Sequence, residues 1–243
     1  MPESYSSQSK LARDRDSISK LKLRFSTPKR LAVIGSLSFS HPATEKICQA
    51  IGQKLADFCD LIVITGGVAG VPEAVSRSLW QRRQTVSTGG SSVYHVQPQG
   101  FEAWDYGENL TAGATLVARR QILATLSPLY LLLEGGLGAE QEARLALRQG
   151  ALLIPVGFTG GVARALWHEF SEQYCEQLED WSREDRCAWT ALESRDFDID
   201  DTVQGVITLV QRSMRVKGYP LGVTPATASI AHNDGYSDNA RGR

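Results

Sequence analysis

A chain of 243 residues with 42% hydrophobic and 22% charged side chains is, by composition, neither disordered throughout nor a membrane protein, and it can bury a substantial α/β core. Its 26 basic and 27 acidic residues give a formal net charge of -1, which argues against a global attraction to nucleic acid and leaves room only for a local basic pocket. Cys48, Cys59, Cys175 and Cys187 form no CxxC pair, so the expectation is reduced, mostly buried thiols rather than a disulfide framework or a zinc site.

The polar start MPESYSSQSK lacks the apolar core of a signal peptide, and no run reaches the roughly 18 apolar residues of a membrane span; a cytoplasmic protein is expected. Residues 1–28 carry only scattered leucines and read as a flexible or loosely docked extension, and residues 221–243 read as a disordered tail. Between them, residues 29–220 alternate short β-branched runs with amphipathic stretches. That alternation predicts one α/β domain, a Rossmann-like parallel β-sheet with helices on both faces.

In chain order, Leu31 to Ile34 is a buried strand ending at Gly35 and Ser36. A helix over 43–59 follows, with Ile47, Cys48, Ile51, Leu55 and Ala56 on one stripe. Leu61 to Ile64 is a second strand. The turn Thr65-Gly66-Gly67-Val68-Ala69-Gly70 leads from it into a helix whose first turn suits Pro72. A strand over 92–96 precedes a long polar loop from Gln97 to Gly113, whose length hints at a binding role. Residues 115–126 read as a helix. Leu129 to Leu133 is a strongly apolar strand running into Glu134-Gly135-Gly136-Leu137-Gly138 and a helix over 139–149, stopped by Gly150. Residues 151–156 form another buried strand, residues 162–179 and 201–214 read as helices, and a weak edge strand is expected near 188–192.

Three strand ends therefore carry small residues: Gly35-Ser36, Thr65-Gly66-Gly67 with Gly70, and Gly135-Gly136 with Gly138. In an open parallel sheet ligands bind beyond the carboxyl ends of the strands, and a helix starting after a glycine turn offers free N–H groups and a positive dipole end to a phosphate. None of the turns completes GxGxxG or GxxxxGK[ST], which sets aside ordinary dehydrogenases and P-loop NTPases. Taken singly, each turn also reads as nothing more than a tight connection.

The order of these features resembles the SLOG superfamily, in particular the LONELY GUY group of nucleoside 5′-monophosphate phosphoribohydrolases once described as lysine decarboxylases. Its PGGxGTxxE motif is matched by Glu134-Gly135-Gly136-Leu137-Gly138-Ala139-Glu140-Gln141-Glu142, and its helical arginine falls on Arg119 within Val117-Ala118-Arg119-Arg120-Gln121. Two positions depart: Glu134 stands for the proline and Ala139 for the threonine whose hydroxyl would grip phosphate. An added carboxylate and a lost donor are both expected to weaken monophosphate binding.

The resemblance implies Arg119 and Glu142 as catalytic residues, with Gly35, Ser36, Thr65, Gly66, Gly67, Gly70, Gly135, Gly136, Gly138 and Ala139 around the ligand's phosphate and Arg120 and Glu134 as secondary candidates. Arg120 competes with Arg119, and Glu140 with Glu142, if a helix is rotated by one residue. Outside the motif, Arg119 and Glu142 read as solvated helix charges or a structural ion pair. Breaking an N-glycosidic bond requires a carboxylate to steady an oxocarbenium-like ribose or activate water, a role that suits Glu142, while Arg119 suits an oxyanion. Three functions follow: an N-glycosidase hydrolase, a non-catalytic sensor or carrier of a nucleotide-derived ligand, and, opposed by the neutral charge, single-stranded DNA binding. A small-molecule nucleotide is the expected partner and a homodimer is implied by resemblance; no cofactor, metal, membrane or nucleic-acid partner is expected. Trp104 is the tryptophan placed to stack on a base.

Overall fold

The computed structural model describes residues 18–21, 24–25, 29–85, 92–173, 181–194 and 198–215. Six strands form one parallel sheet, β1 (Arg30–Gly35), β2 (Ile62–Thr65), β3 (Val93–Gln97), β4 (Glu108–Thr111), β5 (Leu129–Leu133) and β6 (Leu152–Val156), in the order β4-β3-β2-β1-β5-β6. Seven helices of eight or more residues accompany them among the described residues: α1 (Thr44–Leu55), α2 (Val71–Thr85), α3 (Leu116–Leu123), α4 (Leu137–Arg148), α5 (Gly161–Gln173), α6 (Arg183–Ala191) and α7 (Ile199–Arg215). The expected Rossmann-like architecture is thus present.

The central strands are apolar on both sides because helices cover both faces, and every residue of β2, β3 and β5 is buried. One core holds Leu31, Val33, Ile47, Ile51, Leu131 and Val206; on a second, smaller cluster, Ile64, Val96, Ile122 and Leu126 pack together. Strand β1 pairs with β2 on one side and β5 on the other, so the chain reverses its direction of winding there. Such a reversal opens a crevice between the loops that follow the two strands, and this is what positions the site.

Four expectations change or are narrowed. The loop from Gln97 to Gly113 contains β4, a short edge strand paired in parallel with β3; its sequence ENLT holds one apolar residue, too few to show a strand pattern. The expected edge strand near 188–192 is instead part of α6, where the Ser182 side chain accepts the Asp185 N–H and starts a helix that buries Ala188 and Trp189. In the segment read as a flexible or loosely docked extension, the docked alternative holds for the described residues: Leu21 and Phe25 are buried in the smaller cluster, Phe25 lies edge-on to Tyr94, and Arg24 pairs with Glu108. Two aromatic and aliphatic anchors suffice to dock it, without a continuous apolar stripe. Cys48 is buried, but Cys59 and Cys187 are exposed.

Residues 1–17 and the tail at 221–243 lie outside the described residues, as does the end of the helix expected to reach 179. Among the described residues, no helix is long and apolar enough to cross a membrane.

Candidate functional site

A cleft of about 360 Å³ opens between the loops after β1, β2 and β5, lined among others by Gly35, Ser36, Gly66, Gly136, Gly138, Ala139, Arg119, Arg120 and Glu142. Its floor is an ion pair. Arg119 Nη1 of α3 donates to Glu142 Oε2 of α4 at 3.0 Å, with the residues 4% and 6% exposed. The pair is incompletely satisfied: Arg119 Nε and Glu142 Oε1 are buried without a hydrogen-bond partner. Buried polar atoms left in this state call for a missing partner, because each forfeits solvation it does not recover. Burial pushes the Glu142 carboxyl above the usual carboxylate range, against the opposing pull of Arg119 and Arg120.

Helix phase is decided by these contacts. Arg119 points inward, whereas Arg120 lies at the cleft edge with Nη1 on Gln141 Oε1 at 3.0 Å. Glu140 pairs with Arg144 on the outer side of α4, leaving the inner position to Glu142. Each cleft arginine rests on a glycine. A Cβ on Gly66 would stand 2.5 Å from Arg119 Nη1, and one on Gly138 would stand 2.8 Å from Arg120 Nη2, so neither turn tolerates a side chain with its arginine in place.

Of the other predicted residues, Thr65, Gly67, Gly70 and Gly135 build the walls, and Ser36 both lines the cleft and ties its loops together. Ser36 Oγ accepts the Gly135 N–H at 2.8 Å, Val71 N–H donates to Ser36 O at 3.0 Å, and a Cβ on Gly70 would collide with Ser36 O at 2.3 Å. Three loops are thereby interlocked. Thr65 is buried in a relay in which Gly67 N–H donates to Thr65 Oγ1 at 3.1 Å, Oγ1 meets His95 Nδ1 at 2.8 Å, and His95 Nε2 meets Tyr106 O at 3.1 Å. Since a carbonyl can only accept, the proton sits on Nε2 and the ring is neutral; burial holds its pKa down to about 4.

Glu134 does not extend a charge into the cleft, contrary to the sequence expectation. Its carboxylate turns to the segment before α1, accepting the Ser40 N–H at 3.0 Å, the His41 N–H at 2.9 Å and the Thr44 hydroxyl at 2.6 Å. Burial alone would raise its pKa, but these donors outweigh it and hold the carboxyl below its ordinary value. Glu134 also sits at φ 53°, in the left-handed region that proline, fixed near -65°, cannot enter. The loop therefore leaves β5 on a different path from one led by proline.

What remains open to a ligand is the start of α4. The N–H groups of Gly136, Leu137, Gly138 and Ala139 have no acceptor within the helix, whose first intrahelical bond runs from Glu140 N to Gly136 O. Ala139, where the motif has threonine, lines the cleft and adds no hydroxyl. Sequence reasoning missed the apolar rim: Leu37, Val68, Pro72 and Leu116 also line the cleft, and Leu37, Leu116 and Leu137 are exposed. Leucines off the core stripe at helix starts and loop tips were the available signal.

Residues 29–184 match the sequence model of the SLOG cluster4 family. No curated protein matches the chain. Among solved structures, the molybdenum cofactor carrier protein from Chlamydomonas reinhardtii is 18% identical, with 76% of this chain and 97% of that one covered at a TM-score of 0.51. The molybdenum cofactor binding protein from Rippkaea orientalis is 19% identical over 64% of this chain and 97% of its own, at 0.46. DNA processing protein A from Helicobacter pylori is 18% identical over 55% and 66%, at 0.40.

Proposed function

The chain belongs to the SLOG cluster4 family, and we propose that its cleft binds a phosphate-bearing nucleotide or nucleotide-derived ligand. The observation that carries this reading is the Arg119–Glu142 pair, buried at the floor of a switch-point cleft with one polar atom on each side chain unpartnered. An anion at the start of α4 would meet the four free N–H groups, the helix dipole and the nearby guanidinium groups. A sugar above the floor would supply hydroxyls to Glu142 Oε1 and Arg119 Nε.

The chemistry open to this arrangement is hydrolysis of the N-glycosidic bond. The C1′–N bond breaks as positive charge develops on the ribose, the base leaving with the electron pair; Glu142 steadies that charge or takes a proton from water, the water oxygen bonds to C1′, and the released proton ends on the base nitrogen. Free base and ribose 5-phosphate result. Burial raises the Glu142 pKa, a direction that suits a group that takes up and releases a proton.

A second reading, a sensor or carrier that holds its ligand uncleaved, is favoured by Ala139, which withholds the hydroxyl grip on phosphate, and by the exposed leucines at the rim. The name of the Chlamydomonas protein ascribes carriage to that protein. Exposed Leu116, Val117 and Leu137 also suit a homodimer meeting near the cleft, to be tested by light scattering.

A panel of nucleoside monophosphates incubated with wild type and with Glu142→Gln separates the readings. Base release by wild type alone establishes the hydrolase. Ligand-dependent rise in Tm without release supports the carrier, since a ligand that binds only the folded chain must stabilise it. Neither response to any nucleotide would refute the cleft assignment.

A further inference from the structure

Beside the cleft lies a second hollow of about 690 Å³, and Leu37 and Val68 line both, so the two adjoin. The hollow sits over the ends of β2 and β3, between the turn at Gly67 and the loop that carries Phe101, Glu102, Trp104 and Asp105. Resting on the proposed nucleotide reading, we infer that this hollow is the subsite for the ligand's flat heterocyclic ring, with Phe101 and Trp104 as its stacking surfaces.

Three observations point there. First, the aromatic surface is held ready. The Trp104 backbone is clamped by Asn109, whose Oδ1 accepts the Trp104 N–H and whose Nδ2 donates to the Trp104 carbonyl, both at 2.9 Å. Its ring leans on His95 and Tyr106, each with centroids 5.8 Å away, and the Arg77 guanidinium lies 5.6 Å from its centre. Phe101, 51% exposed, and Leu37, 66% exposed, add bare apolar area to the lining of the same hollow. Stacking of a base on such side chains is favourable whatever the base.

Second, charge sorts the two ends of the ligand. The cleft has two guanidinium groups against one carboxylate, in Arg119, Arg120 and Glu142. The hollow has the reverse, Glu102 and Asp105 against Arg77, and Arg77 is already engaged by Asp105 at 3.1 Å and Glu73 at 3.2 Å. A phosphate is attracted to the first and repelled by the second, whereas a ring edge bearing an amino group finds acceptors in the second.

Third, the strand order gives the span. From the loop after β5, through β1 and β2, to the loop after β3 is three strand steps, roughly 14 Å at about 4.8 Å each. Phosphate, ribose and base laid out in sequence fill that distance, with the ribose above Arg119 and Glu142.

Calorimetric titration of the full chain with AMP, IMP and ribose 5-phosphate tests the assignment, with base release followed in the same samples. Wild type should bind AMP about tenfold or more tighter than ribose 5-phosphate, and AMP more tightly than IMP, which presents a carbonyl where AMP has its amino group. Phe101→Ala, at an exposed position, should narrow the gap between AMP and ribose 5-phosphate several-fold and leave ribose 5-phosphate binding itself unchanged. Equal loss of both ligands, or an unaltered ratio, would overturn the subsite, and IMP binding as tightly as AMP would overturn the role of its carboxylates. If neither AMP nor ribose 5-phosphate binds wild type, the cleft reading has failed and the subsite falls with it.

Discussion

Arg119 and Glu142 reach each other from two different helices, α3 and α4, and close a 3.0 Å contact beneath the loops of β1, β2 and β5. The pair therefore ties the two helices together at the floor of the candidate site, and its charges balance only as long as both are present.

Removing one partner strands the other. Arg119→Met or Glu142→Leu alone should cost about 3–5 kcal/mol, because an uncompensated charge is left buried. The double variant, apolar on both sides, should recover most of that loss while losing ligand affinity. Urea unfolding of the four chains measures the coupling; single variants that melt with wild type would mean that the pair is solvated.

Gly66 offers a subtler probe. In Gly66→Ala the new methyl would overlap the Arg119 guanidinium at 2.5 Å, so the side chain must move off its glycine seat. We expect a loss of roughly 1–3 kcal/mol in stability, accompanied by weaker nucleotide binding measured by thermal shift. A chain that binds as before would show that Arg119 is not needed in its observed place.

Ala139→Thr returns a hydroxyl to the first turn of α4, at a position that lines the cleft. If phosphate rests there, one more donor contributes about 1 kcal/mol, near fivefold in affinity for ribose 5-phosphate. Calorimetry reads this directly, and unchanged affinity would place the phosphate elsewhere.

Acid should loosen the Gly67 turn. Burial lowers the His95 pKa from 6.5 to about 4, so the folded chain favours the neutral ring that accepts from Thr65. A depressed folded pKa contributes stability that is present above the unfolded value and lost as pH falls through the folded one. Between pH 6.5 and 4 wild type should thus lose on the order of 3 kcal/mol. His95→Gln should show a shallower slope in that window by chemical denaturation; an identical slope would assign the titration to other groups.

Much of this was legible in the residues. Leu129 to Leu133 running into two glycines announces a buried strand and a tight turn, and the resemblance that singled out Arg119 and Glu142 anticipates two side chains that do meet. What the letters could not convey depends on neighbours far along the chain. Glu134 reads as an unwelcome charge until its left-handed backbone turns it toward Ser40, His41 and Thr44, 90 or more residues away. Likewise β4 owes its existence to pairing with β3 rather than to its own polar sequence, and the docking of Phe25 follows from the surface that β2 and β3 present.

The buried Glu134 carboxylate gives this fold an internal counter-ion. The segment leading into α1, beside the end of β1, is thereby occupied by a carboxylate the chain supplies itself. Under the proposed reading, an oxyanion entering the crevice would find the segment before α1 already filled by the chain's own carboxylate, which favours the α4 side for its negative end.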